Sequence, residues 1–216
     1  MKVLFIGNSY TYYNDLPKLF EKLAAENGGD VEAFSVTCGG RRLIENMEKT
    51  EDSYAEQLNA LLSAHVFDLV ILQEHSLGSL LDYDGFCSGI TGLREKLGSR
   101  AKRFLLYCTW GRKTGSKTLE EHGWTQESMT FSIADAYRKA GKTLGIPVSY
   151  VGLKFYGISR MHPEIELYYA DLTHPSYAGS CLAAITLYAS VFHAFPQKCS
   201  ALELPQETLQ AFAAQF

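Results

Sequence analysis

Two short stretches carry residue types that can act on one another. Near the amino terminus, Gly7-Asn8-Ser9-Tyr10-Thr11 follows the apolar run KVLFI at residues 2 to 6, and a helical pattern begins a few residues later. A serine at such a junction sits on a tight turn, with its backbone N–H close to the start of a helix, and both properties suit a nucleophile whose attack creates an oxyanion. The same residues would also serve as a plain turn in which Ser9 or Asn14 caps the helix. Near the other end lies Asp171-Leu172-Thr173-His174-Pro175. A spacing of three lets the carboxylate fold back onto the imidazole Nδ1 and leaves Nε2 free to take a proton from a hydroxyl. Pro175 reads as the first turn of the last long helix. Asp171 could equally cap that helix with His174 on the surface, or the pair could belong to a metal site. The remaining histidines, His65, His75, His122, His162 and His193, are dispersed and form no H-E-x-x-H or comparable cluster.

The elements that must position these stretches alternate. Strand-like runs at 2 to 6, 31 to 36, 67 to 72, 103 to 108 and 148 to 151 are mostly apolar on both faces. Helical patterns lie between them at 15 to 27, 53 to 64, 86 to 98 and 128 to 144, with a last one over 175 to 194. Such alternation predicts an α/β fold, a three-layer α/β/α sandwich around a five-stranded parallel sheet. Helix-to-strand connections are short, whereas the strand-to-helix connections at 37 to 52, 73 to 85, 109 to 127 and 152 to 173 are long. In an open parallel sheet the latter emerge at the carboxyl edge, where ligands bind. Both stretches fall on that rim.

Gly7-Asn8-Ser9, a Gly-Gly pair after the second strand, and Asp171-x-x-His174-Pro175, in this order over residues 2 to 194, resemble the SGNH (GDSL-like) hydrolase superfamily. The resemblance implies a flavodoxin-like sandwich and a serine esterase that needs no cofactor. Ser9 would be the nucleophile, His174 the general base and then acid, and Asp171 the group that fixes the imidazole tautomer. It also implies an oxyanion hole built from the Ser9 N–H, a glycine N–H after the second strand and an amide side chain after the third. Of Gly39 and Gly40 we favour Gly40, which leads directly into a polar loop; a turn needing positive φ would explain either glycine. Where many relatives have Gly-x-Asn-Asp, this chain reads Leu72-Gln73-Glu74-His75-Ser76, so Gln73 stands as the amide donor, with His75 or a structural Gln73 as alternatives. Glu74 is expected to pair with Arg41 or Arg42, or to face water.

The glutamine variant and the aromatics of the rim (Tyr10, Tyr12, Tyr13, Trp110, Trp124, Tyr168, Tyr169) favour a short acyl group, acetyl in type, on a carbohydrate or other polyol. The same aromatics equally suit the edges of the core. A lipase or thioesterase is the enzyme alternative, and a flavodoxin-like module cradling a phosphate or flavin is the non-catalytic one. Cys38 is a remote candidate for a thiol nucleophile.

Composition bounds the rest. The 216 residues fit one domain spanning the chain, since domains typically hold about 100 to 200. With 20 Lys and Arg against 24 Asp and Glu, the net charge of −4 argues against nucleic acid and fits an uncharged ester as the small-molecule partner. No run of about 18 apolar residues offers a membrane span. Only Val3, Leu4, Phe5 and Ile6 follow Met1-Lys2 before the glycine, too few for an export signal of about 7 to 15 apolar residues. The five scattered cysteines lack a C-x-x-C pair and fit a reducing, cytoplasmic compartment, although a chain trimmed of its signal would read the same. Oligomeric state leaves no trace in the sequence.

Overall fold

The computed structural model describes residues 1–216. In chain order the elements are β1 (Lys2–Gly7), α1 (Ser9–Tyr12), α2 (Leu16–Glu26), β2 (Glu32–Thr37), α3 (Glu45–Glu48), α4 (Ser53–Ala64), β3 (Leu69–Leu72), α5 (Gly78–Leu81), α6 (Tyr83–Leu97), β4 (Phe104–Tyr107), α7 (Lys117–His122), α8 (Gln126–Leu144), β5 (Val148–Ser149), α9 (Val151–Met161), α10 (Tyr177–Phe192) and α11 (Gln206–Ala213). The five strands form one sheet in the order β2-β1-β3-β4-β5, with every neighbouring pair parallel. This is the doubly wound, flavodoxin-like order, and its direction reverses between β1 and β3.

The strands are apolar on both faces because both faces are covered. Along β1, Val3 and Phe5 enter a core shared with α2, α9, α10 and α11, whereas Leu4 and Ile6 enter the opposite core, beneath α4, α6 and α8. Helix α10 is buried without a break from Gly179 to Tyr188, so it lies inside its layer rather than on the surface. Side chains start the longer helices: Asp52 accepts from the Ala55 N–H, Thr125 from that of Ser128 and Ser176 from that of Gly179. No helix is long and apolar enough to cross a membrane.

The rim holds more helix than its composition suggests. Single turns α3, α5 and α7 interrupt three of the long connections, and α9 occupies half of the stretch over 152 to 173 read as loop. Strand β5 is only two residues long, and α9 follows it at once, with Val151, Phe155 and Ile158 fully buried at helical spacing. Each such side chain contributes about 1.5 to 3 kcal/mol by leaving water, enough to hold a helix containing two glycines. Pro175 is not in the first turn of α10; Ser176 is the cap, and Pro175 instead bridges Tyr168.

Candidate active site

The reversal of strand order opens a crevice at the carboxyl ends of β1 and β3, and Ser9 stands directly beyond β1. Asn8 shapes the turn that holds it. Its backbone N–H donates to Gln73 Oε1 (2.9 Å), its side-chain amide donates to the Arg41 carbonyl (3.0 Å), and its Oδ1 accepts from the Tyr10 N–H (3.2 Å). Gly7 must be glycine, because a Cβ there would lie 2.6 Å from both Gln73 Oε1 and Thr11 Oγ1. Asn14 then ties this segment to the start of α10, donating to Ser180 Oγ (2.9 Å) and the Ser176 carbonyl (3.1 Å).

That tie brings the two ends of the sequence together. His174 Nε2 lies 2.8 Å from Ser9 Oγ, and His174 Nδ1 lies 2.5 Å from Asp171 Oδ2. The other oxygen of Asp171 accepts the backbone N–H groups of Thr173 (3.0 Å) and His174 (2.9 Å), so the carboxylate fixes the loop as well as the ring. Burial alone would raise the Asp171 pKa; the His174 ring and these N–H groups outweigh it and hold the carboxyl below its usual range. Leu172 sits between them at φ 61°, a left-handed conformation that costs a branched residue about 1 to 2 kcal/mol. The loop keeps it there through the Leu172 N–H, which donates to the Tyr169 carbonyl, and the Leu172 carbonyl, which accepts from Lys113. Trp110 Nε1 donates to the Thr173 carbonyl from the far side (3.1 Å).

A cavity of about 260 Å³ opens on Ser9 and His174, lined also by Gly40, His75, Ser76 and Arg112. Gly40 adopts φ 70°, which accounts for glycine there, and neither its N–H nor that of Ser9 donates within the fold. Both N–H groups are thus free for a ligand. No three His, Cys, Asp or Glu side chains are gathered where a metal could be held.

Gln73 is not brought to the cavity. It is buried, and its Oε1 accepts from the Asn8 N–H and from Thr11 Oγ1 (2.8 Å) while its Nε2 donates to the Glu74 carbonyl (2.5 Å). Because the Asn8 N–H can only donate, the carbonyl end must face it, and the amide N–H groups point away from β1. Gln73, expected as third oxyanion donor, is thus placed where it braces the serine turn and not among the residues that line the cavity. Glu74 pairs with neither arginine and does not face water. It is fully buried and accepts from the N–H groups of His75 (2.6 Å) and Leu43 (3.1 Å), joining the loops after β2 and β3. Burial pushes its pKa up to about 7. Arg41 pairs with Asp52 and Arg42 with Asp82.

The aromatics divide. Trp110 is fully buried, stacked on Phe155 and Tyr10, and Tyr168 is also buried, whereas Tyr12 and Tyr169 are exposed on the rim. Cys38 is exposed and makes no hydrogen bond with His174, whose Nε2 is engaged by Ser9. Arg112 escaped the sequence reading. A lone arginine after β4 has no pattern around it, and only its position across the rim from Ser9 brings it into the cavity.

Several solved structures share this arrangement of elements. A protein from Slackia heliotrinireducens assigned to the SGNH hydrolases is 28% identical, with a TM-score of 0.75 over 88% of this chain and 98% of that one. A DUF4886 family protein from Bacteroides uniformis is 21% identical, with a TM-score of 0.75 over 100% of this chain and 94% of its own. The acetyl xylan esterase AlAXEase is 17% identical, with a TM-score of 0.65 over 88% of this chain and 100% of its own. The last two speak to fold alone. No protein-family profile matches the sequence, and no curated protein does. The chain has the fold of the SGNH hydrolases.

Proposed function

We propose that the protein hydrolyses carboxylic esters through an acyl-enzyme on Ser9. His174 takes the Ser9 proton as Oγ attacks the ester carbonyl, Asp171 holds the imidazole in the tautomer that leaves Nε2 unprotonated, and His174 then returns the proton to the departing alcohol. A water activated by the same imidazole releases the acid. The N–H groups of Ser9 and Gly40 would receive the tetrahedral oxyanion; losing such a donor typically costs about 100- to 1000-fold in rate. The observation that carries this reading is the hydrogen-bonded series Asp171, His174, Ser9, ending in a cavity.

A short acyl group, acetyl in type, suits a cavity of about 260 Å³ in which one of nine lining residues is hydrophobic. A long acyl chain would find little apolar wall there. Exposed Tyr12 and Tyr169 offer stacking faces for a sugar ring. The phosphate or flavin module has no use for an imidazole oriented by a carboxylate onto a serine.

Purified protein is expected to hydrolyse 4-nitrophenyl acetate, with Ser9→Ala and His174→Ala each losing most of that activity while keeping the fold. Parent-like rates in both variants would remove the Ser9 reading. A series from acetyl to decanoyl esters tests acyl length, and a rate that rises with length would overturn the short-acyl assignment.

A further inference from the structure

Two arginines of this chain are buried, and they are treated differently. Arg41 is paired with Asp52, whereas Arg112 has no carboxylate within ion-pair distance. Its one side-chain hydrogen bond runs from Nη2 to Ser76 Oγ (3.0 Å), and Nε is buried without any partner. Its guanidinium lies 5.8 Å from the Tyr10 ring centroid, near the outer limit of a cation–π contact. A buried charge without a counter-ion costs several kcal/mol, and that contact returns about 1 kcal/mol. Arg112 nevertheless lines the same cavity as Ser9, Gly40 and His174, its Nη2 bonded to Ser76 of the same lining, and no acidic residue lines it. His75, on the same wall, is held below its usual pKa by burial and by the charges of Arg112 and Arg42. Whatever the net charge of the chain, the cavity presents unpaired positive charge.

That charge is present throughout the cycle, whereas the oxyanion is transient and already has the N–H groups of Ser9 and Gly40. We propose that Arg112 makes this cavity select esters that carry a carboxylate close to the scissile bond, an inference that rests on Ser9-dependent ester hydrolysis. The planar guanidinium receives the substrate carboxylate in its free donors, as arginine does wherever planar anions are recognised, and Ser76 and Tyr10 hold it in place. The substrate class is therefore an ester whose acyl or alcohol part bears a carboxylate: an acylated hydroxy acid, a sugar acid included, or a half-ester of a dicarboxylic acid.

The experiment compares acids with their neutral counterparts: 4-nitrophenyl succinate against its methyl ester, and O-acetyl-lactate against methyl O-acetyl-lactate. In the parent, at least one acid is expected to exceed its methyl ester in kcat/KM by about tenfold or more. In Arg112→Gln that preference should fall by about 10- to 100-fold, the worth of a hydrogen-bonded charge, while Arg112→Lys keeps part of it. Should Arg112→Gln fail to fold, Ser76→Ala removes the bond that holds the guanidinium and should lower the preference several-fold. No preference in the parent, a preference that survives Arg112→Gln, or equal loss on acid and methyl ester would each overturn the proposal, the last by making Arg112 an oxyanion donor. Calorimetry of succinate with Ser9→Ala separates the two readings. Arg112-dependent binding by a parent that hydrolyses no ester would remove the esterase and leave the anion site; hydrolysis without acid preference would do the reverse.

Discussion

Tyr13 lies flat on His174, with ring centroids 4.3 Å apart and planes within 6° of parallel. The phenol is kept neutral, because burial, then the charge of Asp171, raises its pKa. A neutral ring on the imidazole face fixes its orientation and favours the imidazolium that forms during attack on an ester. Tyr13→Ala is expected to lower kcat about tenfold with little change in KM, and Tyr13→Phe to stay within about twofold of the parent. Equal losses in the two variants, read by steady-state kinetics, would assign the effect to the hydroxyl instead of the stack.

Asp171 orients the ring from its other side. Asp171→Asn offers an amide where Nδ1–H needs an acceptor, favours the wrong tautomer and should reduce kcat by about 100- to 10,000-fold. The substitution also carries a pH signature. The folded-state pKa of Asp171 is depressed, so its stabilising contribution is present above the unfolded-state value and is lost as pH falls through the folded-state one. Urea unfolding on the acid side of pH 4 should therefore show a smaller pH-dependent loss in Asp171→Asn than in the parent.

Gly40→Ala separates conformation from space. A Cβ there would meet nothing within 4 Å, but φ 70° is unfavourable for alanine. The variant is expected to lose about 1 kcal/mol of stability and, as the loop relaxes and its N–H moves, at least tenfold in kcat/KM. A melting temperature lowered with activity intact would show that the Gly40 N–H is not used.

Gln73 and Glu74 brace rather than react. Gln73→Ala removes the acceptor of the Asn8 N–H and of Thr11, so melting temperature and activity should fall together, by about 2 to 3 kcal/mol in stability. An activity loss without destabilisation would restore Gln73 to the oxyanion hole. Glu74 acts through pH with the opposite sign to Asp171. Its raised pKa means that the folded state holds a proton which the unfolded chain releases, so stability should decline as pH rises from about 4.5 to about 7 and level off above. A displacement of that size is worth about 3 kcal/mol. Glu74→Gln should flatten the decline, measured by urea titration at several pH values, and an unaltered slope would show that Glu74 ionises freely.

What the sequence could show followed from range. Ser9 was readable because it closely follows the apolar run Val3 to Ile6, and Asp171 with His174 because their spacing is local and their loop shares the carboxyl edge. The partners of Gln73 were not readable because its position after β3 is local information, whereas the claim of Asn8 and Thr11 on its carbonyl is made across 65 and 62 residues. Helix α9 was hidden by Gly152 and Gly157, and by a preceding strand too short to announce where it stops. Glu74 and Arg112 look like surface charges in a sequence; only the packing of three loops makes one a buried tie and the other an unpaired charge.

Ser9 and His174 are hydrogen-bonded across 165 residues, and the clamp from Asn14 reaches still further along the chain, to Ser180 at the start of α10. Asn8 and Thr11 find their partners at Arg41 and Gln73, but Ser9 must wait for residue 174. The serine turn can therefore form early while its contact with the imidazole waits until α10 seats, so the pairing of these two side chains reports long-range docking rather than local folding.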